Sequence, residues 1–369
     1  MSTNDKMQIH IVSSVKGGCG KTAFSLFKSL EVASEMRKRN LSNKRAEVLW
    51  IDADFRGTAS RTLFYSKDEE QFKLMHSRNT IDKLEEKNPS LFDESPLFTQ
   101  NILCYGKEFV PYTINDYLRE DIQGLEKMIV HGYAYNEQKV GGGPAGDEAD
   151  IKECINGMVD FIFSSGAAAD KRLFNYGSGL LPTIEIGRFT YLMRTMLMRV
   201  CEKGKTKTKA AGEKNDRELN YKHIVIDMPP GDDAYSNALL ETIRELAQKR
   251  KEDKDEIEIH LYVLTTSDRG HMDATLESVQ DTCERLLRHK HEENIHIIQS
   301  EIRSGEFDPG NEFQNQIDEY LDKINRFRDT IHKRFPGENI NIDLSVCKFQ
   351  KEYYAFCRDI VRRGFTYSI

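Results

Sequence analysis

The stretch VKGGCGKTAF (15–24) limits what this chain can fold into more than any other part of it, because of what lies on either side. MQIHIVSS (7–14) is a short apolar run ahead of a glycine-rich loop and reads as a buried strand. KTAFSLFKSLEVASEMRKR (21–39) follows, with Phe24, Phe27, Leu30 and Ala33 at helical spacing and Arg37, Lys38 and Arg39 closing the last turn. AEVLWID (46–52) is a second buried strand. Strand, loop, helix and strand in that order make a βαβ unit, which requires a parallel sheet.

The rest of the chain continues the alternation. Further strands are expected at 157–165, 222–228, 257–265 and 294–302, separated by helical patterns at 187–202, 235–250 and 272–289. This predicts an α/β fold: a doubly wound, mostly parallel sheet with helices on both faces. Its ligand belongs at the carboxyl ends of the strands, where the strand order reverses. The whole chain, 1–369, reads as one such domain carrying an insertion at about 65–155. That insertion is charged and partly helical, ends in the glycine-rich VGGGPAGDEAD (140–150), and offers a partner surface. KGKTKTKAAGEKNDREL (203–219) is a second, lysine-rich excursion.

Three motifs carry the chemistry. In the opening loop, Gly17, Gly18 and Gly20 let backbone N–H groups turn inward around phosphate oxygens, since no Cβ obstructs the approach. The cradle runs through Cys19, Lys21, Thr22 and Ala23 into a helix N-terminus, which favours an anion. Lys21 can reach the terminal phosphates, and the Thr22 hydroxyl can bind Mg²⁺. The loop departs from the usual pattern in one respect. Six positions before Lys21 the customary glycine is replaced by Val15, and a second lysine, Lys16, comes next.

In VLWIDADFRGTAS (48–60), a buried strand ends at Asp52 and Asp54, which leave it on one side. Carboxylates beside phosphates repel them unless a metal or water intervenes, so one aspartate suits the Mg²⁺ shell and the other an attacking water. In HIVIDMPPG (223–231), an apolar strand delivers Asp227 to its end, placed to hold Mg²⁺ through water. Pro229, Pro230 and Gly231 then form a turn able to sense a terminal phosphate.

KGGCGKT, VLWIDADFRGT and HIVIDMPPG resemble the deviant Walker A, switch I and Walker B/switch II motifs of the ParA/MinD superfamily of P-loop ATPases. The resemblance covers roughly 7–64 and 157–302, and TINDYL (113–118) and MVDFIFSS (158–165) look faintly like the family's middle segments. It implies an ATP- and Mg²⁺-dependent hydrolase that dimerises with a second copy on binding ATP. Carried over residue by residue, Lys16 would contact the partner's nucleotide and Lys21 would grip phosphate in its own chain. Thr22 and Asp227 would serve the metal, Asp54 would position the water, and Asp52 would support that shell. Lys16 as a plain solvent lysine is the alternative. Cys19 stands where a small aliphatic residue is usual, so either packing or redox sensing could explain it.

Several roles fit such an ATPase. One is a partition-type protein that moves cargo along DNA, using Lys203, Lys205, Lys207 and Lys209, or Arg358, Arg362 and Arg363, as a basic patch. Another is a membrane switch using an amphipathic tail at 349–369, for which a terminal helix docked on its own core is the better reading. Asp-x-Asp-x-Arg in IDADFR resembles a bacterial tyrosine-kinase relative. A nucleotide-gated scaffold for a separate effector is the non-enzymatic alternative. Seven scattered cysteines without a Cys-x-x-Cys pair argue against an iron–sulfur carrier. A formal net charge of -7 argues against a nucleic-acid glove over the whole surface. With no secretory h-region and no apolar run near the ~20 residues of a membrane span, a cytoplasmic protein is expected.

Overall fold

The computed structural model describes residues 6–39, 46–55, 112–122, 124–125, 128–129, 159–164, 184–202, 207–208, 217–218, 220–231, 233–252, 257–266, 269–286, 293–300 and 340–347, with 322, 325–326, 329 and 333. Most of the 65–155 insertion, the lysines at 203, 205 and 209, and the tail at 349–369 lie outside these residues.

The elements in chain order are β1 (Met7–Ser14), α1 (Lys21–Arg39), β2 (Val48–Asp52), α2 (Ile114–Leu118) and β3 (Val159–Ile162). Then come α3 (Ile186–Cys201), β4 (Lys207–Thr208), β5 (Arg217–Glu218), β6 (His223–Asp227) and α4 (Ala234–Glu252). β7 (Ile257–Thr265), α5 (Arg269–Leu286), β8 (Glu293–Ser300) and β9 (Ile340–Cys347) complete the set. Among the described residues, seven strands form one sheet in the order β3-β2-β6-β1-β7-β8-β9. Every neighbouring pair in it is parallel, as the alternation of strands and helices requires. β4 and β5 form a separate antiparallel ribbon inside the lysine-rich excursion.

Side chains alternate between two buried faces. Ile9, Ile11, Leu49, Ile51, Ile224, Ile226, Ile259 and Leu261 enter one core together with Phe189, Leu192 and Met196 of α3 and Leu239 and Ile243 of α4. Val12, Val48, Trp50, Phe161, Val225, Tyr262 and Leu264 enter the other, under Phe24, Leu26, Val32 and Ala33 of α1. Both faces being covered explains why the central strands read as continuous apolar runs. Ile114, Tyr117, Leu118, Ile122, Leu125 and Met128 join the first core, so this part of the insertion packs on the same sheet. Thr113 caps α2 through a capping box with Asp116, and the Ile114 N–H donates to the Phe163 carbonyl at 2.8 Å, which pins TINDYL to the carboxyl end of β3.

Trp50 is fully buried, and its Nε1 donates to the Ser25 hydroxyl of α1 at 3.0 Å. It ties the helix that follows the glycine loop to the centre of the sheet. Trp50→Ala is expected to destabilise the fold by about 3–5 kcal/mol. Trp50→Phe should lose far less, and urea unfolding of the two variants would check the difference.

Candidate functional site

The strand order reverses at β1, and three neighbouring strands end side by side there: β2 at Asp52, β6 at Asp227 and β1 at Ser14. Register places Asp227 opposite both Asp52 and Val12. The residues that the motifs single out gather at these three ends, because each motif directly follows or closes one of the strands.

The loop after β1 is shaped by Gly18 at φ 84° and Gly20 at φ 83°. Both are left-handed, a conformation that costs an L-residue with a Cβ roughly 1–2 kcal/mol. The Phe24 N–H donates to the Gly20 carbonyl at 2.9 Å and closes the first turn of α1. The N–H groups of Lys21, Thr22 and Ala23, ahead of it, have no acceptor within the helix, the arrangement that receives anions. Lys21 is buried at 7% exposure, whereas Lys16, Gly17 and Gly18 are exposed on the loop's outer side. The Lys16 carbonyl accepts from the Ser14 hydroxyl at 2.7 Å and from the Cys19 thiol at 3.1 Å. Burial pushes the Cys19 thiol's pKa up, against the opposing pull of the Lys21 and Lys16 charges. The thiol therefore stays protonated near neutral pH and remains a donor.

The third motif folds back on this loop. Gly231, at φ 88°, donates its N–H to the Ser14 carbonyl at 2.9 Å. A Cβ on Gly17 would meet Pro230 Cγ at 3.9 Å, so that proline lies directly against the glycine loop. The Pro-Pro-Gly turn is thus tied to the glycine loop through the backbone.

Asp227 is fully buried, and neither carboxylate oxygen has a partner in hydrogen-bonding geometry. Burial pushes its carboxyl up to about 6, and Asp54 adds repulsion. Lys21 and the Thr22 and Ser25 hydroxyls act in the opposite direction; the two hydroxyls do so without reaching hydrogen-bond geometry. A buried carboxylate with two unmet acceptors, facing a threonine hydroxyl and a lysine, suits a hard divalent cation. Among the described residues no group of three or more His, Cys, Asp or Glu side chains could hold a metal alone. A cation at Asp227 would have this one carboxylate and the neighbouring Thr22 hydroxyl to bind.

The two aspartates of the second motif differ in their surroundings. Asp52 accepts from the Ser164 hydroxyl at 2.6 Å on one oxygen and from the Asp54 N–H at 3.1 Å on the other. It is wholly buried and shapes the turn that carries Asp54, which is 3% exposed. Ser164 holds Asp52, Ser14 holds the Lys16 carbonyl, and Ser25 donates to the Thr22 carbonyl and accepts from Trp50; all three were missed from sequence. A polar residue closing an otherwise apolar strand was the available signal for Ser14 and Ser164.

A cavity of about 230 Å³ opens beside the loop, lined by Val15, Lys16, Cys19, Leu264, Thr265, His271, Ala274 and Thr275. Of the basic-patch lysines, only Lys207 lies among the described residues, in β4. No described helix is long and apolar enough to cross a membrane.

The chain matches no protein-family model and no curated protein. Among solved structures, a plasmid partition protein from Borrelia burgdorferi aligns with 99% of this chain and 100% of its own, at 15% identity and a TM-score of 0.39. At that similarity, any functional reading rests on the residues of the site.

Proposed function

We propose that this chain is an ATPase of ParA/MinD type, a slow molecular switch that dimerises on ATP and reports its nucleotide state to a partner. The observation that carries the reading is Asp227: a fully buried carboxylate with both oxygens unpartnered, beside Lys21 and Thr22 at the mouth of a glycine loop. Such a group destabilises a fold unless a cation meets it in the working state.

In this reading the backbone of Gly17, Gly18, Cys19, Gly20 and Ala23 and the Lys21 ammonium bind phosphate. Thr22 and Asp227 hold Mg²⁺, with Asp52 supporting them by fixing the turn at Asp54. Magnesium, when bound, neutralises charge on the phosphates. Asp54 orients the attacking water and accepts its proton, and Pro230 touches the loop closely enough to register what it holds. Lys16 serves the nucleotide of a second copy, so neither protomer has a complete site by itself. Turnover is slow in such an arrangement, because catalysis is mostly positioning and awaits assembly.

Positioning or partition of DNA or another cargo through an activating protein is the biological role we favour, with any DNA contact made by a local basic patch. The alternatives are a nucleotide-gated scaffold for a separate effector and a tyrosine-kinase-like enzyme. Asp54→Ala tests the hydrolytic switch, and partner capture separates it from the scaffold. An ATPase switch should hold ATP and stay dimeric, with phosphate release reduced about 100-fold or more. Capture experiments with the trapped dimer, one with DNA and one with candidate proteins, would show which it retains. An Asp54→Ala protein that hydrolyses ATP at the wild-type rate removes Asp54 from this role.

A further inference from the structure

The glycine loop carries a feature that gripping phosphate does not require. Two side chains converge on a single backbone acceptor: Ser14 Oγ at 2.7 Å and Cys19 Sγ at 3.1 Å both donate to the Lys16 carbonyl. Ser14 and Cys19 are each only 2% exposed, so that carbonyl is drawn toward the interior. The Lys16 side chain, by contrast, is exposed. Glycines follow at 17 and 18, one of them left-handed, and a lysine ahead of such a pair would ordinarily sit on a loose backbone.

We propose that Ser14 and Cys19 are positioning residues for Lys16: by tying its carbonyl inward they hold its backbone so that the ammonium is presented outward, to the triphosphate bound by a second copy of this chain. The inference rests on the shared-lysine reading above and deepens it. The physical gain is preorganisation. A lysine whose backbone is fixed before the copies meet loses less conformational freedom on association. The arrangement also gives Cys19 a role beyond packing, since valine of similar bulk would fill the space without a donor. The protonated thiol and the Ser14 hydroxyl together saturate an acceptor that would otherwise be free to turn toward the anion. Neither side chain touches phosphate in this role.

The test compares the full-length Ser14→Ala/Cys19→Val double variant, Cys19→Ser, Lys16→Ala and the wild type. Affinity for a non-hydrolysable ATP analogue is measured by calorimetry on dilute protomer with Mg²⁺. Self-association at saturating analogue is measured by light scattering. The double variant should need about tenfold more protein for half-association, a larger fold-change than any it shows in analogue affinity. Cys19→Ser keeps a donor and should associate within about twofold of wild type, while Lys16→Ala should associate no better than the double variant.

If the double variant associates like wild type while Lys16→Ala does not, the positioning role is overturned and the shared-lysine reading stands. If Lys16→Ala associates like wild type, that reading falls and takes the inference with it. Equal losses of analogue affinity and association would show that the tie serves the whole loop, which also overturns the proposal. Should circular dichroism show the double variant unfolded, Ser14→Ala and Cys19→Val singly carry the same comparison, at about threefold each.

Discussion

Lys21→Ala is expected to weaken ATP binding at least ~100-fold, about 3 kcal/mol, in a calorimetric titration with Mg²⁺. Two losses combine in this variant. The phosphates lose a charged donor that is already held in place, since Lys21 is 7% exposed at the first position of α1. Asp227 loses the lysine charge that most opposes its burial. That carboxyl's pKa therefore rises further, and what the variant loses toward an anion is the lysine's attraction. Far-UV circular dichroism should remain that of the wild type, because the sheet and its two cores do not depend on this side chain. Undiminished ATP binding by a folded Lys21→Ala protein would refute the assignment of the loop.

The second large effect is expected at Asp227, and it runs opposite to the usual outcome of a core substitution. The folded-state value of this carboxyl is raised to about 6, above the ordinary ~3.9 expected in the unfolded chain. Between those values the folded state binds the extra proton, so stability falls as pH rises through the window from about pH 4 to pH 6. Above it the full penalty is present, on the order of 3 kcal/mol. Asp227→Asn removes the charge and keeps the shape. In EDTA at pH 8, its thermal midpoint should exceed the wild type's by several degrees, and the difference should shrink as pH is lowered to about 4. The same variant should lose Mg²⁺-dependent hydrolysis. A wild type that is no less stable than Asp227→Asn at pH 8 without metal would show that the carboxylate is satisfied by other means.

Much of the fold was legible along the chain. β7 was expected at 257–265 and is found at Ile257–Thr265; α1 was expected at 21–39 and is found at Lys21–Arg39. Buried central strands and helices with a clear apolar face announce themselves because burial selects residues at a fixed period. β9, Ile340–Cys347, was not expected. Its sequence, INIDLSVC, alternates apolar and polar residues as a strand at a sheet edge can, and it lacks the continuous apolar run that marks the central strands. The ribbon of β4 and β5 was read only as a polar excursion, since two residues a side leave no period to detect.

The candidate site divides in the same way. The sequence by itself determined that a glycine loop with Lys21 and Thr22 stands between a strand and a helix, that Asp52 and Asp227 close buried strands, and that Asp54 lies just beyond the first of these. These are local facts, set by residue type and spacing. What only the tertiary structure decided is how those carboxylates differ. Asp52 is engaged by Ser164, which lies 112 positions away, whereas Asp227 has no hydrogen-bond partner for either oxygen. It likewise decided that Pro230 packs on Gly17 and that Ser14 and Cys19 share one carbonyl. The physical reason is that hydrogen bonding and desolvation depend on which groups the sheet order brings together. Strand order, β2 beside β6 beside β1, is settled by burying both faces of the sheet at once, and no short stretch of sequence encodes it.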